Sequence, residues 1–142
     1  MTDDLRTRLL VADLLARIAQ AADLDTLEEY GELLAEDIVW VMPENPATGL
    51  PAQRREGRAD VLAGARERRA SGLQGPGSGA RHLVSTIVVT PSGDQARARS
   101  YFQFVGGGSG TPVLLSTGVY EDRFVRSEGG GWLLAERRIT LS

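Results

Sequence analysis

The order of hydrophobic patterns along the chain restricts its fold more than any other feature. Apolar residues recur mainly at helical spacing as far as residue 70, whereas the chain from His82 onward is β-rich. Four strand-like runs lie between turn-forming segments, at residues 82–90, 95–105, 113–126 and 132–141. Helices first and an antiparallel meander afterwards predict an α+β fold, with one curved sheet and the helices packed on one of its faces.

Two amphipathic helices are predicted at the N-terminus. Apolar residues recur three or four positions apart from Asp3 to Gln20, which is typical of a helix with one buried face. Asp25 followed by Glu28 resembles a capping box and predicts the start of a second, shorter helix. The apolar face of that helix comprises Leu27, Tyr30, Leu33 and Leu34.

A strand, a loop and a third helix are predicted next. Residues 38–42 form a β-branched and aromatic run that ends at Pro43, which cannot donate to a ladder. Residues 44–55 predict a surface loop able to cover a cavity mouth, and residues 59–70 a helix. The glycine-rich residues 71–79 indicate a flexible connection. We expect three arginines of the helix to face solvent: Arg66, Arg68 and Arg69.

Length and charge restrict the class of protein. A chain of 142 residues suits one domain, which we expect to span residues 1–142. No apolar stretch approaches the ~20 residues of a membrane span, and the N-terminus lacks a secretory pattern, which predicts a cytoplasmic protein. The net charge of -3 argues against nucleic acid as a partner.

Missing residue types restrict the chemistry. The chain has no cysteine and no lysine, which excludes disulfides, thiolate nucleophiles and Schiff-base catalysis. With a single histidine, a zinc site would need mostly carboxylates, so we expect no metal. The glycine-rich run 75–79 lacks the Lys-Ser/Thr of a phosphate loop. We therefore expect chemistry without a cofactor.

Strand alternation predicts which side chains share a pocket. His82, Val84, Thr86 and Val88 should lie on one face of their strand. By the same parity, the next two strands contribute Ser100, Phe102 and Phe104, and then Ser116, Gly118, Tyr120 and Asp122. Trp40 and Met42 of the first strand complete the predicted apolar wall.

His82 is the leading candidate for catalysis, since a histidine near a carboxylate or phenol can act as a general acid or base. Asp122 would orient it, or would instead form a buried ion pair with Arg137 or Arg123. His82 could equally be a core or rim histidine whose hydrogen bonds are satisfied by a neighbour.

Other polar residues are candidates for substrate binding. Tyr120, Ser100 and Ser116 could donate hydrogen bonds to a ligand or could satisfy backbone groups. Glu44 is a second candidate acid or base, or a solvated loop carboxylate. Tyr30 is expected in the core with its hydroxyl at the pocket rim.

Three collinear motifs resemble the SnoaL-like branch of the nuclear transport factor 2-like (NTF2-like) superfamily. Residues 57–62, G-R-A-D-V-L, are similar to the E-G-R-x-x-I entry of its third helix. Residues 81–85, R-H-L-V-S, resemble its R-H-x-x-x-N strand. Residues 118–123, G-V-Y-E-D-R, followed by Gly131-Trp132 and Arg137, resemble its G-x-Y-x-D-R and G-W-x-I-x-x-R ending.

The resemblance implies a cone-like fold, in which a strongly bent, mainly antiparallel sheet wraps around helices, leaves an apolar pocket and usually forms a homodimer. The relatives it implies include polyketide cyclases, scytalone-type dehydratases, ketosteroid isomerases and small subunits of ring-hydroxylating oxygenases. Fold alone does not select among them.

This chain lacks the principal catalytic residues of two of these enzyme classes. Ala19-Gln20 stand where scytalone-type dehydratases have Tyr-Asp, the third helix has no histidine, and Thr86 replaces an asparagine. Met42-Pro43 stand where ketosteroid isomerases have Asp-Pro. The leading hypothesis is nevertheless a cofactor-independent cyclase, dehydratase or isomerase for a small, largely apolar metabolite such as a polyketide or terpenoid. The alternatives are a non-catalytic ligand-binding or accessory protein and a structural oxygenase subunit.

Overall fold

The computed structural model describes residues 2–108 and 110–142, within which the chain forms three helices and six strands. The helices are α1 (Asp3–Leu24), α2 (Leu27–Gly31) and α3 (Arg58–Ala70). The strands are β1 (Leu34–Met42), β2 (Gln53–Glu56), β3 (Arg81–Ser92), β4 (Gln95–Gly106), β5 (Val113–Arg126) and β6 (Trp132–Leu141).

All six strands belong to one sheet with the order β2-β1-β6-β5-β4-β3. Strands β3 to β6 form an antiparallel meander, while β1 pairs in parallel with β6 and antiparallel with β2. Helix α1 lies against β3, and α3 lies against β1. The predicted α+β fold is confirmed. The sheet is mixed because β6, the last strand of the antiparallel meander, lies beside β1 and runs parallel to it.

The core lies between the apolar face of α1 and the inner face of the sheet. Of the residues that the periodicity predicted on the apolar face of α1, the helix buries Leu14, Leu15 and Ile18, while Leu5 and Leu9 in its first turns are exposed. Phe124 and Leu134 pack against the buried residues from β5 and β6 with no exposed surface. Burial of large apolar side chains is the main driving force for this packing.

The second helix begins one residue later than predicted and ends before the predicted Leu33 and Leu34. Thr26 and Glu29, rather than Asp25 and Glu28, form the capping box. The helix stops at Gly31, and Leu134 of β6 donates its backbone N–H to the carbonyl of Leu33. Pairing with the sheet therefore replaces the helix at this point, and Leu34 becomes the first residue of β1 instead of part of a helical face.

The segment predicted as a loop contains the edge strand β2. Arg54, Arg55 and Glu56 of this strand pair with β1. A charged run of this kind carries little β propensity of its own, and charged side chains are typical of sheet edges. The strand therefore depends on a partner that local sequence does not reveal.

A bulge in β3 changes which residues face the core. Thr86 has a φ of 54°, and the pairing with β4 shifts between Ser85 and Val88. Because one extra residue reverses the alternation, Val89 is buried while Val88 is 58% exposed. The prediction that Thr86 and Val88 share the face of His82 is therefore wrong.

The arginines of α3 do not all face solvent. Arg66 is exposed as predicted, but Arg68 is only 8% exposed. Arg69 donates to the carbonyls of Ala21, Ala22 and Asp25 at the end of α1. It donates to carbonyls at the C-terminal end of α1 and complements the helix dipole, so its charge has a structural role.

Gly118→Ala should destabilise the protein because its position in β5 has no room for a methyl group. A Cβ there would collide with the carbonyl oxygen of Thr140 and lie 2.6 Å from Cε1 of Phe102. We expect a loss of about 1–3 kcal/mol in the free energy of unfolding, measured by urea denaturation. Gly129→Ala is the control, since a Cβ there meets nothing within 4 Å. Equal stability of the two variants would contradict this packing.

Candidate functional site

A cavity of about 80 Å³ lies between the helices and the inner face of the sheet. This is several times the space that one water molecule needs. Its wall is mostly apolar and includes the loop after β1, which contributes Pro43, Asn45, Thr48 and Leu50. The bridge between Asn45 and Leu50 closes this loop on itself, so part of the segment predicted to cover a cavity mouth does line the cavity.

Most of the predicted pocket residues contribute to the wall. They are Tyr30, Trp40, Met42, His82, Val84, Phe102, Phe104, Ser116 and Tyr120. The structure places three other candidates outside it: Glu44 is exposed on the loop, while Ser100 and Asp122 are buried on the sheet. Strand parity locates the inner face correctly, but not which of its residues reach the open space.

His82 is paired with Asp23 of α1. Asp23 Oδ1 lies 2.6 Å from Nδ1 of the ring, and its Oδ2 accepts the backbone N–H of His82 at 3.0 Å. The carboxylate is 4% exposed and the imidazole 16%. A carboxylate on Nδ1 places the proton there, so Nε2 is left as the acceptor nitrogen of the neutral ring. The Phe104 ring, 4.7 Å away between centroids, restrains the imidazole further.

Asp23 was not predicted as a site residue because α1 was expected to end at Gln20. The helix continues to Leu24, and Asp23 therefore lies one turn beyond Ala19, which also lines the cavity. Residues four positions apart lie on the same face of a helix, so a prediction that extended α1 to Leu24 would have placed Asp23 on the same face as Ala19. The orienting carboxylate for His82 thus comes from a helix and not from β5.

Asp122 forms a buried ion pair with Arg137. Nε and Nη2 of the guanidinium donate to the two carboxylate oxygens at 2.8 and 2.9 Å. Burial opposes the charge on Arg137, but the attraction and hydrogen bonds of Asp122 outweigh it and raise the pKa of Arg137. With both oxygens occupied, Asp122 has the structural role that was the alternative to orienting His82.

Tyr120 lies in a stack beneath the cavity. Its ring is parallel to that of Phe102, with 4.4 Å between centroids, and Cζ of Arg137 lies 3.8 Å from its centroid on a cation–π contact. Burial raises the pKa of Tyr120 far above its usual value, although Arg137 opposes this shift. The phenol therefore remains protonated, and it can donate a hydrogen bond but cannot serve as a base near neutral pH.

Two arginines were not predicted to line the cavity. Arg137 lines the cavity, and among the described residues its Nη1 has no hydrogen-bond acceptor. Arg68 also lines the cavity, and burial lowers its pKa. Nε1 of Trp40 is buried without an acceptor in the described part of the chain, as is Oγ of Ser100. The cavity wall therefore contains the guanidinium donors of Arg68 and Arg137 in addition to side chains that can also accept, such as Asn45, Gln74 and Ser116.

Across residues 2–108 and 110–142, no group of three histidine, aspartate or glutamate side chains is arranged as metal ligands would be. No helix in the same residues is long and apolar enough to cross a membrane.

The curled sheet, the packed helices and the cavity between them define a class of α+β pocket protein, and comparison with known proteins identifies the family. The profile of the SnoaL-like domain matches residues 3–138, so the chain belongs to the SnoaL-like domain family. The resemblance noted in the sequence is thereby confirmed. None of the curated protein sequences compared with this chain matches it significantly.

Solved structures share the fold. An NTF2-like protein with a cystatin-like fold from Novosphingobium aromaticivorans is 26% identical with a TM-score of 0.76, over 96% of this chain and 82% of that one. Rv3472 of Mycobacterium tuberculosis, of unknown function, is 22% identical with a TM-score of 0.79, over 97% and 77%. A candidate scytalone dehydratase from Novosphingobium aromaticivorans is 18% identical with a TM-score of 0.73, over 97% and 85%.

Asp122→Asn should destabilise the protein strongly, because it leaves the guanidinium of Arg137 buried without its counter-charge. We expect a loss of about 3–5 kcal/mol in the free energy of unfolding, measured by urea denaturation at neutral pH. Asp13→Asn removes the partner of Arg17 from an exposed pair and should leave the unfolding midpoint unchanged. A similar effect of both substitutions would show that the buried pair is not a special source of stability.

Proposed function

We propose that this protein is a cofactor-independent acid–base enzyme for a small metabolite, of the cyclase, dehydratase or isomerase type, in which His82 moves the proton. The observation that carries the proposal is the contact between His82 Nδ1 and Asp23 Oδ1 in the cavity wall. A carboxylate that holds one ring nitrogen orients the other toward its substrate and stabilises the imidazolium that forms on protonation.

The proposed reaction begins when Nε2 of His82 removes a proton from the carbon next to a carbonyl group of the substrate. Negative charge then develops on the substrate oxygen, and the protonated Tyr120 hydroxyl donates a hydrogen bond to it. The imidazolium returns the proton at a second atom or to a departing hydroxyl group. Phe102, Phe104 and Trp40 exclude water and hold the substrate near the reactive geometry.

The family supports this class of reaction without selecting one member. A candidate scytalone dehydratase shares the fold, but this chain lacks the Tyr-Asp pair and the second histidine of such dehydratases, so dehydration is one of three options. The residues proposed to contact the substrate are those that line the cavity, and His82 and Tyr120 are the two among them that take part in the reaction. Asp23 takes the orienting role that Asp122 cannot perform while Arg137 occupies both of its oxygens.

The homodimer expected from the family also remains a proposal. Several apolar side chains of the meander are exposed, namely Leu83, Val88, Tyr101, Val113 and Leu114. A second copy could bury them, since exposed apolar clusters commonly mark protein contacts.

His82→Gln should abolish turnover while ligand binding persists. The protein would be incubated in D₂O with pooled polyketide- and terpenoid-like metabolites, and mass spectrometry would record bound ligands, deuterium uptake, loss of water and new isomers. We expect a loss of on the order of 10²-fold or more for His82→Gln, and a smaller loss for Asp23→Asn. Arg81→Gln changes the exposed neighbour of His82 and should retain full activity.

Turnover that survives in His82→Gln would overturn the proposed mechanism. If the wild-type protein retains a metabolite through native mass spectrometry but never converts it, the protein is a binding protein and not an enzyme.

A further inference from the structure

Arg68 is a buried cation that has no hydrogen-bonded or ion-paired partner among the described residues. The residue is 8% exposed, and among the described residues its guanidinium has neither a carboxylate nor a carbonyl within hydrogen-bond distance. Its neighbours differ in this respect. Arg55 binds Asp60 and Glu67, and Arg69 binds backbone carbonyls. Burying an unpaired charge is costly, so the arrangement requires an explanation.

The fold provides space for this side chain. Gly64 lies one helical turn before Arg68 in α3, and a Cβ at Gly64 would lie 3.2 Å from Arg68 Nη1 and 3.0 Å from Arg55 Nε. A glycine in a helix interior costs about 1 kcal/mol relative to alanine. The glycine thus leaves the guanidinium room to lie against the helix and line the cavity.

The charges around the cavity do not balance within the protein. Asp23 is engaged by His82, and Asp122 is engaged by Arg137. Neither carboxylate is within hydrogen-bond distance of Arg68. Burial lowers the pKa of Arg68, and the attraction of Glu67, which is itself bound by Arg55, only partly opposes this shift. Tyr30 lies close enough to Arg68 for the two to influence each other's pKa, and its buried phenol remains protonated because burial raises its pKa.

We propose that Arg68 binds a carboxylate of the ligand, so that the natural substrate is a largely apolar acid and not a neutral molecule. A planar guanidinium matches a carboxylate with two parallel hydrogen bonds, and Tyr30 provides a neutral donor beside it. This proposal concerns the same cavity as the proposed function and rests on it for the identity of the site, but it requires no turnover. The apolar rings of the cavity wall would contact the remainder of the acid.

Benzoate and its neutral counterpart benzamide test the proposal in the intact protein. Dissociation constants measured by NMR titration should favour benzoate by about tenfold or more in the wild type. Arg68→Met keeps the length of the side chain without its charge and should abolish this preference. Arg66→Met, which changes an exposed arginine of the same helix, should retain it.

Unfolding of the ligand-free variants separates binding from a structural role. Arg68→Met should leave the thermal midpoint unchanged or raise it, because the substitution removes an unpaired buried charge. The proposal is overturned if the wild type binds benzoate no better than benzamide or fails to bind it, or if Arg68→Met keeps the preference. His82→Gln should retain the preference for benzoate, so a failure of catalysis and a failure of acid binding are distinguishable.

Discussion

The site depends on the attachment of α1 to β3 through Asp23. One carboxylate receives both the backbone N–H of His82 and its ring nitrogen, so the end of the helix, the start of the strand and the orientation of the imidazole are set together. The cavity lies beside this contact, since Ala19 and Ala22 of α1 and His82 of β3 all line it. The chemistry of the site and the packing of the fold therefore have a common origin.

Two arginines give the cavity its electrostatic character, and they differ in how their charge is balanced. Arg137 is held by Asp122 and stacks on Tyr120, which makes it a rigid part of the floor. Arg68 reaches the cavity from α3 without a carboxylate. A buried ion pair gives little net stability but is costly to break, whereas an unpaired buried charge favours a ligand of opposite sign. The first is suited to structure and the second to recognition.

Much of the site could be predicted from strand alternation, because side chains on one face of a strand recur at every second position. This rule placed His82, Phe102, Phe104 and Tyr120 on the inner face, and all of them line the cavity. It failed at Thr86, where a bulge reverses the alternation. Bulges depend on pairing with the neighbouring strand, and a single strand's sequence carries no reliable sign of them.

By itself, the sequence determined the α+β class, the family and the face of the sheet that carries His82, since these follow from hydrophobic period and collinear motifs. Only the tertiary structure decided which charged groups meet. Asp23 reaches His82 across 59 positions, and Asp122 reaches Arg137 because the pairing of β5 with β6 places the two residues directly opposite each other. Which charged side chains pair depends on their distance and burial in the folded protein, and neither can be read from the local sequence.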